Sequence, residues 1–336
     1  MISATRRRFL ALSALAVAST TVACGTASGG GAEAKTLRYQ GWAGQVTLPE
    51  LAEDLGFLGD VKLEWVGDTI SGPQDIQSAA TGQIDFGGAF NGAVVKLAGA
   101  GAPIKSVISY YGSDAYAFNG FYVLADSPVR SARDLIGKKV GMNTLGAHSE
   151  AILDIYLQRN GLGPAETSQV ERLVVPPVNT EQSLRQRQLD VVVLGGILRD
   201  KALANGGIRP LFTDYDLLGA FNAGTYVMTK RLLKSNPATV RTFVTGVARA
   251  IEWSKTTPAA EVVDRMTAIV KKRNRNENAD ALKYWKSFGV AAPGGAIAEK
   301  DLSIWVDWLR ARGELKQDVH ITDIYTNEFN GLPAGK

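Results

Sequence analysis

The residues whose types could do chemistry lie in four short segments, each of which follows a predicted β-strand. These segments are Gly41-Trp42-Ala43, Gly87 to Gly92, Asn143 to Ser149 and Gly195-Gly196-Ile197. In doubly wound α/β sheets, ligands bind in the crevice outside the carboxyl ends of the strands. The pattern therefore predicts a ligand-binding cleft, with the candidate residues Trp42, Ala89, Phe90, Asn91, Thr144, Gly146, Ala147, His148, Ser149, Gly195 and Gly196.

The four segments offer two kinds of contact to a ligand. Trp42 and Phe90 present aromatic faces, which suit a flat or apolar group. The helix that follows Asn143 begins near Thr144 to Ser149, and a helix start presents free backbone N–H groups and the positive end of the helix dipole. We therefore expect a small organic molecule with a compact polar or anionic end at this helix start and a flatter part near the two rings.

The same residues also have structural interpretations, which the sequence leaves open. A tryptophan in a loop can simply pack, a short polar residue before a helix can cap it, and paired glycines can form a tight turn. These alternatives apply to Trp42, Asn91, Thr144, Ser149 and the Gly195-Gly196 pair.

Catalytic and cofactor-binding motifs are absent from the sequence. It contains no G-x-S-x-G, H-E-x-x-H, C-x-x-C or G-x-x-x-x-G-K-[ST] segment. A single cysteine, Cys24, excludes an internal disulfide, and two histidines, His148 and His320, supply a zinc site poorly. We therefore expect a protein that is not an enzyme and that carries neither a cofactor nor a metal.

Length and charge set the class of protein. A chain of 336 residues is long enough for two domains, and 45% hydrophobic with 21% charged residues is typical of a globular protein. The formal charge is +4, of which Arg6, Arg7 and Arg8 contribute three. A body that is nearly neutral lacks the basic surface of a nucleic-acid-binding protein, so no nucleic-acid partner is expected.

The amino terminus is predicted to be an export signal. Residues 1–24 combine a basic start, an apolar stretch and small residues before Cys24. Thr5 to Leu10 resembles the twin-arginine motif, although paired arginines also occur in general export signals, so the route stays open. Thr21-Val22-Ala23-Cys24 resembles a bacterial lipobox, which makes Cys24 the candidate lipidation site, and residues 25–36 form a flexible Gly- and Ser-rich tether.

The body alternates predicted strands and helices, which indicates βαβ units and mainly parallel sheets in an α/β fold. Strands are predicted at 37–40, 62–66, 84–87, 104–109, 121–125, 139–142, 172–175, 191–194 and 225–228. Helices are predicted at 48–55, after Pro73, at 91–98, at 149–159, at 180–188 with Asn179 as its cap, and at 236–253 with Asn236 as its cap. From residue 229 the pattern is almost wholly helical, and its aromatic group Tyr284, Trp285, Trp305 and Trp308 favours core packing over a ligand site.

Several segments together resemble one known family. They are Gly82 to Gly87 (GQIDFG), Asp134 to Val140 (DLIGKKV), Gln188 to Val192 (QLDVV) and Asp323 to Phe329 (DIYTNEF). These segments, in this order, are similar to those of the ABC-transporter solute-binding proteins for aliphatic sulfonates, taurine, nitrate and thiamine-precursor pyrimidines. The resemblance extends over most of residues 37–330.

The resemblance implies a periplasmic-binding-protein-like type II fold. Residues 37–120 and 226–336 would form lobe 1, residues 121–225 would form lobe 2, and the ligand would lie between them. Trp42, the 89–91 segment and the helix start at Thr144 to Ser149 would line the cleft. Many members carry an aromatic-acidic turn after the strand at Val191, whereas this chain has Gly195-Gly196-Ile197, which leaves space for a larger or more apolar ligand.

The function that the resemblance implies is capture of a small sulfonate-, nitrate- or pyrimidine-like solute and its delivery to an ABC importer. Its partners would be a membrane permease with an ATPase subunit, and the protein would be a monomer anchored by its lipid to the outer face of the cytoplasmic membrane, or periplasmic. Two alternatives stay open. One is an enzyme on the same fold related to thiamine-pyrimidine synthesis, and the other is a ligand-sensing receptor without transport.

Overall fold

The computed structural model describes residues 33–315 and 317–332. The export signal, Cys24 and most of the predicted tether lie outside the described residues. Ten strands are described: β1 Thr36–Gly41, β2 Lys62–Asp68, β3 Phe86–Phe90, β4 Ile104–Ser113, β5 Asn119–Leu124, β6 Lys139–Met142, β7 Glu171–Val174, β8 Val191–Gly195, β9 Ile208–Thr213 and β10 Phe221–Thr229.

Helices connect these strands. After β10 they alternate with stretches outside α-helices, such as residues 274–299, so the almost wholly helical pattern predicted there is only partly confirmed. The helices up to β10 are α1 Leu48–Asp54, α2 Gly72–Ala80, α3 Asn91–Gly99, α4 His148–Arg159, α5 Pro164–Thr167, α6 Pro177–Arg185, α7 Gly196–Ala204 and α8 Asp214–Leu218. Those after β10 are α9 Lys230–Ser235, α10 Pro237–Thr256, α11 Ala259–Arg273, α12 Lys300–Ser303 and α13 Val306–Ala311. In the described part of the chain, no helix is both long enough and apolar enough to span a membrane.

Two groups of strands form the framework. In the first, β1 pairs with β2 in parallel, and β10 lies between β3 and β4 and is antiparallel to both. The second is a five-stranded sheet of order β7-β6-β8-β5-β9, in which β6, β7 and β8 are parallel and β5 is antiparallel to β8 and β9. The prediction of mainly parallel sheets holds for the β7-β6-β8 part of the second group, whereas β5 is antiparallel to both of its neighbours. In the first, the antiparallel β10 enters between two strands after the chain has completed the second sheet.

Buried side chains join the two groups of strands. One cluster contains Phe90 of β3, Phe121 of β5 and Trp305, together with Val94 of α3 and Ile152 of α4. Trp305 is fully buried and its Nε1 donates to the Asp301 carbonyl, which confirms the core packing predicted for it. Burial of this cluster stabilises the contact between the two groups of strands through the hydrophobic effect.

Three predicted local features are wrong. Gly87 to Gly92 is not a loop, because β3 continues to Phe90 and α3 begins at Asn91 without a connection. Asn179 does not cap a helix but lies inside α6, which begins at Pro177 because proline is compatible with a first helical turn. Asn236 precedes α10 but makes no capping bond; instead Glu33 accepts hydrogen bonds from the N–H groups of Ala238 (3.2 Å) and Thr239 (2.7 Å).

Candidate ligand-binding site

A cavity of about 370 Å³ lies between the two groups of strands. Its wall includes the start of α1, which Thr47 caps by accepting a bond from the Glu50 N–H while the Glu50 carboxylate accepts from the Thr47 N–H. Nine of the eleven predicted binding residues line it: Trp42, Ala89, Phe90, Thr144, Ala147, His148, Ser149, Gly195 and Gly196. The structure thus brings together strand ends from both groups of strands, and the binding role of these residues stays a prediction.

The other two predicted residues do not line the cavity. Asn91 is fully buried, and its Nδ2 donates to the carbonyls of Asn222 (3.1 Å) and Asp301 (2.9 Å), so it joins α3 to neighbouring elements. Gly146 has φ +68°, a conformation that favours glycine, and its N–H donates to Glu150 Oε2 at 2.6 Å. The Asn91 amide nitrogen and the Gly146 N–H are thus bound by groups of the protein itself, whereas Asn91 Oδ1 has no hydrogen-bond partner among the described residues.

Aromatic residues that the sequence did not single out form one wall of the cavity. The rings of Tyr110 and Tyr226 stack with centroids 4.2 Å apart, and Tyr111 meets Tyr110 edge to face at 4.9 Å. Tyr110 and Tyr111 follow the predicted end of β4, so the strand-end rule could have found them. Trp285 and Phe288 also line the cavity, but they come from an irregular segment near the carboxyl terminus that carries no such signal. Trp285 is both buried in the core and part of the wall, so its prediction as a pure core residue was incomplete.

Glycines in β3 and β10 make room for the tyrosine rings. A Cβ atom at Gly88 would lie 2.8 Å from ring carbons of Tyr110 and 2.9 Å from Tyr226. A Cβ atom at Gly224 would lie 2.0 Å from a ring carbon of Tyr111. The rings therefore lie directly on the sheet backbone, and this close approach explains why a glycine-rich segment is a strand here.

A buried polar network lies beneath His148. Asp214, at the start of α8, is fully buried and accepts hydrogen bonds from Ser113 Oγ (3.0 Å) and from the backbone N–H of Asn119 (3.1 Å). His148 Nδ1 lies 3.2 Å from Asn119 Nδ2. His148 Nε2 lies 3.2 Å from Asp214 Oδ2 but has no hydrogen-bond partner among the described residues. The ring of Phe90 stacks on His148 at 5.5 Å, so the network holds the imidazole at the cavity wall.

The start of α4 differs from the predicted anion site. The chain's own Glu150 lies in the first turn, and its carboxylate already accepts the bond from the Gly146 N–H. Arg312 lies 3.1 Å and Arg172 3.6 Å from Glu150 Oε1, so this carboxylate is paired on its far side. An acidic residue in the first turn complements the helix dipole, which reduces the attraction of this helix start for an external anion.

The described residues that line the cavity include no Asp, Glu, Lys or Arg. Burial raises the pKa of the Tyr110, Tyr111 and Tyr226 phenols well above the ordinary value, so these groups remain uncharged at neutral pH. Polar contacts to a ligand can come from tyrosine hydroxyls and from Asn119, Asn143 and neighbouring polar residues. Within the described ranges, no group of three His, Cys, Asp or Glu residues could hold a metal ion.

Asp75 is a buried carboxyl beside the tyrosine wall. It lies in the first turn of α2, is 4% exposed, and its Oδ2 accepts a bond from the Gly88 N–H at 2.7 Å. Its Oδ1 has no hydrogen-bond partner among the described residues. Burial raises the pKa of Asp75 to about 7, against the opposing effect of the Gly88 hydrogen bond.

This raised pKa predicts that Asp75 makes stability depend on pH. A carboxyl whose pKa is higher in the folded state stabilises the fold fully below its unfolded pKa of about 4, and that contribution is lost as the pH rises through about 7. We expect the free energy of unfolding to lose about 3 kcal/mol from this group between pH 5 and pH 8, since one pKa unit corresponds to about 1.4 kcal/mol. In urea denaturation at both pH values, Asp75→Asn should remove this loss, whereas the exposed control Asp126→Asn should retain it. An Asp75→Asn variant with the wild-type pH difference would contradict the assignment.

The central part of the chain matches a known protein family. Residues 51–261 match the family model described as NMT1/THI5 like, which is more than half of the chain. The chain belongs to the NMT1/THI5-like family. No curated protein sequence matches this NMT1/THI5-like chain.

Solved structures share its fold. The alkanesulfonate-binding protein SsuA from Xanthomonas axonopodis pv. citri bound to MOPS is 19% identical, with a TM-score of 0.68 over 88% of this chain and 99% of that chain. The periplasmic nitrate-binding protein NrtA from Synechocystis PCC 6803 is 13% identical, with a TM-score of 0.67 over 88% of this chain and 87% of that chain. A mutant of the desulfurization enzyme DSZB in complex with biphenyl-2-sulfinic acid is 17% identical, with a TM-score of 0.58 over 88% of this chain and 97% of that chain.

At these identities the likeness establishes the fold of the NMT1/THI5-like chain. The predicted periplasmic-binding-protein-like α/β fold is confirmed, as is the predicted resemblance to sulfonate- and nitrate-binding proteins. The same fold carries both binding proteins and an enzyme, so the activity of this chain has to be argued from its own cavity.

Proposed function

We propose that this protein is the solute-binding component of an ABC importer, which captures a small organic solute in its cavity and delivers it to a membrane permease and ATPase subunit. The observation that carries the proposal is one cavity of about 370 Å³ lined by strand-end residues from both groups of strands. This volume is within the range of small-molecule sites. Family membership and the relatives that bind alkanesulfonate or nitrate support the same function.

The proposal includes two lobes that close on the ligand. Lobe 1 comprises residues 37–120 and 226–336, and lobe 2 comprises residues 121–225. Support comes from the cavity wall, to which both lobes contribute. Trp42 and Tyr226 belong to lobe 1, and Thr144 and Gly195 belong to lobe 2. A ligand that contacts both lobes stabilises the closed arrangement, and small-angle scattering should then show a smaller radius of gyration.

The binding function is favoured over catalysis by the cavity's composition. Nucleophilic catalysis requires a nucleophile and an activating base that lie within hydrogen-bond distance of each other. Ser149 and His148 both line the cavity, yet the described hydrogen bonds include none between their side chains, and the imidazole contacts Asn119 and Asp214 instead. The similarity to DSZB keeps an enzyme as the second candidate, which product formation during incubation with a bound solute would reveal.

A solute screen tests the proposal directly. We expect at least one member of a library of organic anions, neutral rings and organic cations to raise the melting temperature. Binding to the folded state adds about 2.7 kcal/mol to the free energy of unfolding at a ligand concentration 100 times Kd.

Trp42→Ala should weaken the binding of a ligand with a ring or alkyl group by more than about 1 kcal/mol in calorimetry, because Trp42 lines the cavity. The matched control Trp65→Ala removes a tryptophan that is 38% exposed and lies outside the cavity lining, so it should bind as the wild type does. Absence of any binding member, or equal losses in both variants, would contradict the proposed site.

The proposed location rests on residues outside the described ranges. We propose that Cys24 is acylated and tethers an exported body to the outer face of the membrane. Cys24→Ser should move the protein from the membrane fraction to the soluble fraction of its host, with the ligand-dependent melting temperature unchanged. Retention of the variant in the membrane fraction would show that another segment anchors the protein.

A further inference from the structure

Aromatic rings form a continuous row along one side of the cavity. From the stacked pair of Tyr226 and Tyr110 the row continues through Tyr111 to His148, whose ring centroid lies 5.9 Å from that of Tyr111. Trp42 lines the same cavity. Because their phenols stay protonated, the three tyrosines of the row offer aromatic rings and hydroxyl groups but no formal charge. The faces of such rings attract cations, most strongly where water is excluded.

Three carboxylates lie directly behind this lining. Asp214 contacts His148, as described above, and Asp114 Oδ2 accepts a hydrogen bond from the lining residue Ser287 at 2.6 Å. Asp75 accepts from the Gly88 N–H, beside Tyr110 and Tyr226. Among residues 33–315 and 317–332, none of the three lies within 4.0 Å of a lysine or arginine nitrogen. Asp214 and Asp114 therefore contribute negative charge that the protein's own lysines and arginines do not pair, whereas burial raises the pKa of Asp75 to about 7 and makes its charge depend on pH.

Two cationic side chains near the lining share one carboxylate, Asp200, which lies outside the lining. Arg199 stacks over the lining residue Phe118 at 3.9 Å, but its guanidinium lies 2.9 Å from Asp200. Lys286 binds the same carboxylate at 3.2 Å. An anionic solute in the cavity would consequently approach unpaired carboxylates without a lysine or arginine in the lining to neutralise it, and a buried charge without a partner is costly.

We propose that the cavity selects an organic cation, a solute whose positively charged nitrogen carries alkyl groups or belongs to a flat ring and lies against the tyrosine row. The inference rests on the proposed function and names the substrate class of that same site. It departs from the sulfonate and nitrate that the relatives bind. The tyrosine faces supply cation–π attraction, and the carboxylates behind them supply long-range attraction in a site of low dielectric.

Three probes that share a benzyl group test the sign of the charge. Benzyltrimethylammonium is the cation, phenylmethanesulfonamide is neutral, and phenylmethanesulfonate is the anion. In calorimetry with the wild-type protein, we expect the cation to bind at least 10-fold more tightly than either other probe. Equal or tighter binding of the sulfonate or the sulfonamide overturns the inference, and so does no binding of the cation at 10 mM. The solute screen tests the proposed function independently of the sign of the charge, because binding of an anion, a neutral ring or a cation would each support a solute-binding function.

Two charge-removing variants locate the source of the preference. Asp214→Asn and Asp114→Asn each remove one negative charge with little change of volume, and each should weaken the cation at least fivefold and reduce its advantage over the sulfonate. The control Asp85→Asn removes a carboxylate that pairs with Arg38 at 2.9 Å and lies outside the cavity lining, so it should leave the preference unchanged. If Asp214→Asn does not fold, Asp114→Asn still decides the result. A preference for the cation that neither variant reduces overturns the assignment of these carboxylates.

Discussion

Replacement of Asp214 by alanine is expected to lower the free energy of unfolding by about 3 kcal/mol or more. The carboxylate is fully buried and accepts bonds from Ser113 Oγ and the Asn119 N–H, with His148 at 3.2 Å. Alanine would leave these donors buried without an acceptor, and a buried unsatisfied donor retains its desolvation penalty. Urea denaturation with a two-state fit measures the change, and calorimetry should show weaker solute binding because His148 and Asn119 both line the cavity.

The neighbouring carboxylate Asp216 provides a matched control for this result. It belongs to the same helix α8 but is exposed, and the helix cap uses its backbone N–H, which donates to Thr213 Oγ at 3.0 Å. Asp216→Ala should change stability by less than about 0.5 kcal/mol, as surface substitutions usually do. Similar losses in both variants would show that helix α8, and not the buried network, is sensitive to substitution.

Replacement of Gly224 by alanine is the second large effect that we expect. A Cβ atom there would lie 2.0 Å from a Tyr111 ring carbon and 2.6 Å from the Ala89 carbonyl oxygen. The carbonyl belongs to the paired strand β3 and cannot move without breaking the sheet register, in which Gly224 is opposite Phe90. Overpacking of this kind costs about 3 kcal/mol or more when backbone must shift. Solute affinity should fall as well, because Tyr111 forms part of the aromatic wall.

The control variant Gly163→Ala tests whether the loss of stability in Gly224→Ala comes from the close contact of the Cβ atom. Gly163 has φ −78°, and a Cβ atom there would meet no atom within 4 Å, so Gly163→Ala requires no movement of neighbours. We expect it to cost less than about 1 kcal/mol, chiefly because alanine is a poorer residue than glycine before helix α5. Thermal unfolding and calorimetry should separate the two variants. Gly224→Ala with wild-type stability and affinity would refute the steric account of the wall.

Local pattern predicted much of the fold because each element obeys a local physical rule. Helix α10 illustrates this: Val240, Phe243, Val244 and Val247 recur at helical spacing, and all four are buried in the structure. The β3 segment shows where the rule fails. Its glycines indicate a loop by sequence, but they form a strand because Tyr110, Tyr226 and the Asp75 backbone approach too closely for any Cβ atom.

Sequence by itself determined the α/β class and the strand ends that precede Trp42, Thr144 and His148, because these follow from periodicity and from the geometry of parallel strands. The family resemblance came from four short segments of the sequence. Tertiary structure alone decided the electrostatics of the cavity. Asp214 lies 66 positions after His148 in the chain, and only folding places its carboxylate 3.2 Å from that ring. Burial of a charge and the identity of its partners depend on contacts between distant segments, and no local pattern in the sequence encodes those contacts.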